Sequence, residues 1–139
     1  FIAPYYLAEA SSQSIEAFIQ GSESGALALS DWTGVEFASL LARKERMREL
    51  SADIAALVGQ RMDDDVSYRF DVLTPQGADY ALAKQFIRHD PTLGLRGPDA
   101  LHLAVAAGRA LVLHTLDRTL LRAAQAFGIE ATDAGILDA

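Results

Sequence analysis

Leu95-Arg96-Gly97-Pro98-Asp99-Ala100-Leu101-His102-Leu103-Ala104, followed by Leu111-Val112-Leu113-His114-Thr115-Leu116-Asp117, decides the fold class of this chain. Pro98 suits the first turn of a helix, where its missing N–H takes nothing from the hydrogen-bond ladder. The alanines and glycine after it suit close packing against a sheet. Leu111 to His114 reads as a short buried strand, and Asp117 stands where that strand gives way to a helix from Arg118 to Phe127. Helix, strand, helix in this order is a unit of a parallel α/β layer, in which ligands sit beyond the carboxyl ends of the strands. Asp99 and Asp117 begin the two helices that flank the strand, so that edge is the place to look for chemistry.

The alternation continues outward in both directions. Ile15, Phe18 and Ile19 predict a helix within Ala8 to Gln20, ended by Gly21 to Gly25, and Ala26 to Leu29 a strand. A helix is expected from Thr33 to about Leu50 with Val35, Ala38, Leu41 and Ala42 inward, and another from about Ala52 to Met62 with Ile54, Leu57 and Val58 inward. Tyr68 to Leu73 is a predicted strand. Thr74-Pro75 opens a further helix with Ala78, Leu82, Phe86 and Ile87 inward, Asp90 to Arg96 is a loop, and Ile129 to Ala131 is a last strand. The expected architecture is an α/β/α sandwich on a largely parallel central sheet.

The 139 residues, half of them apolar, suit one domain spanning 1–139. The absence of cysteine excludes a disulfide framework and any thiolate-bound metal, and fits a cytoplasmic location. A metal would have to sit on oxygen or imidazole. No apolar run approaches the ~18 residues of a membrane span, and Phe1 onward lacks the pattern of a secretory signal. A net charge of −7 argues against a broad electrostatic grip on nucleic acid. Arg43, Lys44, Arg46 and Arg48 form a local basic stretch, read either as a contact for phosphate or as a solvated helix face laced with Glu45 and Glu49.

Each acid has a structural explanation beside a functional one. Glu36 lies three residues after Thr33, the spacing of a capping box. Asp99 sits in a first helical turn, where the helix dipole favours negative charge, and Asp117 is placed to be an N-cap. Taken together, Glu36 and Asp117 begin helices that directly follow strands and so point to one sheet edge. Carboxylates that converge repel one another unless a cation relieves them, and oxygen-only ligands select Mg²⁺ or Mn²⁺. Thr115 either supports such a site through its hydroxyl or simply ends its strand. Asp63-Asp64-Asp65 lacks the spacing of a calcium loop and reads as a solvated turn. The histidines show no HExxH pattern, and the chain has no GxSxG elbow or phosphate-cradling glycine loop.

Ser30-Asp31-Trp32-Thr33-Gly34-Val35-Glu36, then Leu95 to Ala104, then Thr115-Leu116-Asp117, in that order and spacing, resemble PIN-domain ribonucleases of the VapC toxin type. The resemblance covers nearly the whole chain and is most specific in Pro98-Asp99-Ala100-Leu101-His102-Leu103-Ala104 with Thr115-x-Asp117 downstream. It implies a PIN-like sandwich in which Glu36, Asp99 and Asp117 are the catalytic and metal-site acids, with Mg²⁺ or Mn²⁺ as cofactor and RNA as substrate. It also implies a cognate antitoxin and a homodimer. Arg96 pairs with Asp99 or touches a phosphate. The family pattern begins with an apolar strand ending in an acid, and Phe1-Ile2-Ala3-Pro4-Tyr5-Tyr6-Leu7 resembles the segment that comes just after that strand. The first strand is therefore expected to precede Phe1.

A docking groove for the antitoxin is expected from Ile15, Phe18 and Ile19 with Ile54, Leu57 and Val58, unless these are core. Two other readings fit the same acids: an Mg²⁺-dependent phosphoryl-transfer or phosphatase-like enzyme with an aspartyl nucleophile, and a degenerate PIN scaffold that binds RNA or a protein without cutting.

Overall fold

A computed structural model describes residues 1–23 and 25–137. It is a mixed α/β structure, mostly helical, with short parallel strands. Backbone contacts divide it into two units, Ile2–Thr74 and Phe1 with Pro75–Ala139.

The N-terminal unit contains α1 (Ala3–Tyr6), α2 (Ser12–Gly21), β1 (Ala28–Ser30), α3 (Asp31–Arg46), α4 (Ala52–Arg69) and β2 (Asp71–Leu73). β1 and β2 run parallel, with Ala28 opposite Asp71 and Ser30 opposite Leu73, and the crossover between them is the pair α3 and α4. Ser30 ends the strand and caps α3, its Oγ accepting from the Trp32 N–H at 3.2 Å. The helix therefore starts two residues before Thr33, which moves Glu36 out of capping-box register. At its other end Arg43, Lys44 and Arg46 occupy the last turn, where cations offset the helix dipole, and Lys44 pairs with Glu49 at 2.9 Å.

Two expected inner faces are corrected. α3 buries Leu41 as expected and Phe37 in addition, while Val35 is 55% exposed and Ala38 and Ala42 are also exposed. α4 buries Ala55 and Met62, while Ile54 is 46% and Leu57 66% exposed. Apolar residues stand on more than one side of each helix, and the stripe that meets a partner wins. Ile15 and Ile19 of α2 are core residues, so the groove expected from them together with Ile54 and Leu57 does not form as one apolar face. α4 also runs through Asp63-Asp64-Asp65, which is helix and not a turn, and shortens the expected strand to Asp71–Leu73.

Asp65, half-buried on α4, faces Tyr6. The two arginines on its own helix, Arg61 and Arg69, lie 4.0 and 3.7 Å from its carboxylate. Burial, and after it the Asp65 charge, raises the Tyr6 phenol well above its usual range. The Tyr6 ring meets Phe37 edge-on at 5.5 Å.

The C-terminal unit contains α5 (Gly77–His89), a 3₁₀ turn (Pro91–Leu93), α6 (Gly97–Gly108), β3 (Leu113–His114), α7 (Arg118–Ala126) and β4 (Ala131–Thr132). α6 is its centre and packs against α5, α7 and β3. Ala100, Leu103 and Ala104 have no exposed surface, nor do Ala123 and Ala124 of α7. Alanines on both helices allow close approach, and Leu95, Leu120 and Ala83 complete the cluster. Phe86 and Phe127 meet at its edge, their rings 4.5 Å apart. Full burial of Leu103 alone stabilises by about 1.5–3 kcal/mol.

α5 begins at Gly77, later than Thr74-Pro75, and Ala78 is exposed. The inner position of its first turn belongs to Asp79, 5% exposed.

Three helices in the two units end in the same backbone motif. After α6, the Ala110 N–H bonds the Ala107 carbonyl and the Leu111 N–H the Ala106 carbonyl, with Ala110 left-handed at φ 52°. After α7, Gly128 and Ile129 do the same to Gln125 and Ala124, with Gly128 at φ 66°. After α3, Arg48 and Glu49 bond Glu45 and Lys44, with Arg48 at φ 60°. These are Schellman closures. They take up residues 109–111 and 127–129, so that β3 and β4 each begin two residues later than the expected strands Leu111–His114 and Ile129–Ala131.

β3 and β4 pair in parallel, Leu113 opposite Ala131 and His114 opposite Thr132. The parallel pairing expected from the sequence is present. Among the described strands, each unit holds one two-stranded parallel sheet.

Candidate functional site

The C-terminal edge of β3 carries the residues of greatest chemical interest. The chain leaves the strand at Thr115, whose N–H extends the ladder to the Thr132 carbonyl at 3.0 Å. The Thr115 side chain is buried, and its Oγ1 accepts from the Asp117 N–H at 3.1 Å. That bond fixes the turn that presents Asp117. Asp117 is the N-cap of α7, with Oδ1 accepting from the N–H groups of Thr119 at 2.7 Å and Leu120 at 3.1 Å. With Oδ1 committed to the helix, Oδ2 faces the Arg96 Nη2 at 3.3 Å.

Arg96 is the N-cap of α6, and Asp99 lies in that helix's first turn after Pro98. Arg96 Nε donates to Asp99 Oδ2 at 2.9 Å. One guanidinium therefore bridges two carboxylates that enter from different helices. The Asp99 side chain is 18% exposed and that of Asp117 36%, whereas Arg96 is 72% exposed, so the acids are set into the surface and the cation lies over them. Behind them, burial lowers the pKa of His114 on β3, whose ring lies 5.6 Å from that of Phe1.

Of the residues expected at the site, Asp99, Asp117, Thr115 and Arg96 come together in the C-terminal unit. Glu36 belongs to the N-terminal unit, half-buried in the second turn of α3. Beside the end of β1 in that unit, Asp31 Oδ2 accepts from the Thr74 hydroxyl at 2.9 Å. This polar contact at a strand edge escaped sequence reasoning, although Asp31 directly after an apolar strand was a usable signal. Among the described residues, no group of three or more histidine, aspartate or glutamate side chains is placed to hold a metal ion.

No protein-family model matches this chain, and no curated protein matches it significantly. The reading of the site therefore rests on its own chemistry.

That chemistry is simple. Asp99 and Asp117 offer only carboxylate oxygen, a donor set suited to a hard divalent cation. Arg96 already stands where such a cation would meet both, so the pair fits a cation in charge and in direction.

Proposed function

We propose that this chain is a PIN-type endoribonuclease of the VapC kind. It would hydrolyse RNA phosphodiester bonds with Mg²⁺ or Mn²⁺ and act as the toxin of a toxin–antitoxin pair in the cytoplasm. The observation that carries the reading is the meeting of Asp99 Oδ2 and Asp117 Oδ2 at one cationic group. Its second support is the order and spacing of the three motifs, which bring in Glu36 as the third acid on the strength of the sequence alone. A cognate antitoxin, a homodimer and the finer PIN sandwich belong to the same proposal.

In this reading Asp99 and Asp117 would hold the divalent ion, which would supply positive charge toward the scissile phosphate and Lewis acidity toward a water. Thr115 keeps the Asp117 backbone in place. The cap bonds to Thr119 and Leu120 orient the Asp117 carboxylate, so that its second oxygen faces outward without a search through rotamers. No helix among the described residues is long and apolar enough to cross a membrane.

The test is RNA cleavage by the intact protein with Mg²⁺ or Mn²⁺, compared with chelator and with Glu36→Gln, Asp99→Asn and Asp117→Asn. The reading expects cleavage that depends on metal and drops at least ~100-fold in the aspartate variants, the scale typical of losing a group that acts in the transition state. Undiminished cleavage in all three variants removes the assignment. Trapping of a phosphoaspartate would instead favour the phosphoryl-transfer reading.

A further inference from the structure

The geometry points to Arg96 as a built-in counter-ion that holds the Asp99 and Asp117 carboxylates together and competes with a divalent cation for them. This rests on the reading of the two aspartates as metal ligands. Arg96 reaches the same oxygen type on both, 2.9 Å from Asp99 Oδ2 and 3.3 Å from Asp117 Oδ2. Its backbone position explains why: as the N-cap of α6 it stands three residues before Asp99, and the Asp117 cap faces it from the start of α7.

Without a cation, two carboxylates that converge on one point would repel each other. The guanidinium removes that repulsion and, being charged at every accessible pH, does so under all conditions in which the acids are ionised. A divalent ion on the same oxygens would lie within a few ångströms of the guanidinium, and like charges at that separation repel. The cation and Arg96 therefore compete for the two carboxylates.

Displacement is feasible because the Arg96 side chain is 72% exposed and can swing into water without disturbing the core. Exposed ion pairs are weak and yield to a stronger ligand. The consequence is a carboxylate pair organised before metal arrives, at the expense of metal affinity. Arg96 in this role is a positioning residue that sets the metal concentration at which the site fills.

Isothermal titration of Mn²⁺ into the intact protein tests this. At low ionic strength Arg96→Gln is expected to bind Mn²⁺ about three- to tenfold more tightly than the unaltered chain, the scale of losing exposed ion pairs to the two carboxylates. The advantage shrinks as added salt screens the pairs in the unaltered protein. Arg96→Lys, which keeps the charge, is expected to stay within about twofold of the unaltered affinity. In thermal melts, metal-free Arg96→Gln should unfold at a lower temperature and gain more from Mn²⁺.

Equal, weaker or undetectable Mn²⁺ binding by Arg96→Gln overturns the inference. Failure of the parent reading is distinguishable. Mn²⁺ binding that survives in an Asp99→Asn, Asp117→Asn double variant removes these residues as ligands. Tighter binding by Arg96→Gln, with no metal-dependent RNA cleavage by the unaltered protein, leaves the counter-ion role standing and removes the nuclease.

Discussion

Arg109 grips Asp79 by both carboxylate oxygens, with Nη1 3.1 Å from Oδ1 and Nη2 3.1 Å from Oδ2. The pair ties the first turn of α5 to the end of α6. Asp79 is 5% exposed and also accepts from the Gln76 N–H at 2.7 Å, so its charge is fully engaged. Removing one partner of a buried pair leaves the other charged and without solvent. Arg109→Met is expected to destabilise by about 3 kcal/mol. Asp79→Leu combined with Arg109→Met should recover more than half of that loss, and urea unfolding of the three variants checks both expectations.

The same pair gives a pH dependence of known sign. The hydrogen bonds from Arg109 hold the Asp79 carboxyl below its ordinary range, outweighing the opposing effect of burial, with the Gln76 N–H and the Arg109 charge assisting. A depressed folded-state pKa contributes stability above the unfolded value, near about 3.9, and loses it as pH falls through the folded value. The urea midpoint of the unaltered protein should therefore drop in that acid window. Arg109→Met should show a shallower drop, and an identical profile would remove Asp79 as the cause.

Tyr6 works at the opposite end of the scale. Its hydroxyl is buried and faces the Asp65 carboxylate, and burial together with that charge raises its pKa. The unfolded chain ionises first, from about pH 10, so stability present below that pH is lost as pH rises toward the folded value. Tyr6→Phe should change stability at neutral pH by less than about 1.5 kcal/mol, because it removes the desolvation cost of the hydroxyl together with its interaction with Asp65. It should also flatten the alkaline loss of stability, as followed by circular dichroism against ultraviolet titration of tyrosinate.

Asp117 can be separated into its two duties. Asp117→Ala removes the α7 cap and should lower stability by about 1 kcal/mol. Asp117→Asn keeps a capping oxygen for Thr119 and Leu120 and should melt close to the unaltered protein. If the proposed function holds, both variants lose metal-dependent cleavage, so activity and stability part company in the asparagine variant. Cleavage by Asp117→Asn at the unaltered rate would leave Asp117 as a cap alone.

The Schellman closures give a prediction about glycine. Arg48 and Ala110 occupy the left-handed position that Gly128 fills after α7. Arg48→Gly and Ala110→Gly are each expected to stabilise by about 0.5–1 kcal/mol, and Gly128→Ala to destabilise by about 1 kcal/mol. A Cβ at Gly128 would meet nothing within 4 Å, so that effect is purely conformational. Chemical denaturation of the three variants reads it directly.

The sequence by itself determined the longer helices, the strands and their order, though not the short α1 or the 3₁₀ turn, and it located Asp99 and Asp117 at helix starts around one strand, because Pro98 in a first turn and an aspartate after a short apolar run are local signals. It also anticipated the parallel pairing, since strands separated by helices cannot form tight hairpins. The faces that α3 and α4 bury were decided by tertiary structure. Val35 and Leu57 satisfy helical periodicity as well as Phe37 and Met62 do, and only the neighbouring surface chooses between them. The helix through Asp63 to Asp65 is laced by pairs four residues apart, Gln60 with Asp64 and Arg61 and Arg69 with Asp65. The Asp79–Arg109 clasp was hidden, because it joins residues thirty apart in the chain. So was the bridge from Arg96 to Asp117: a charge finds its counter-charge through space, and spacing along the sequence carries that distance only when both ends lie on one helix.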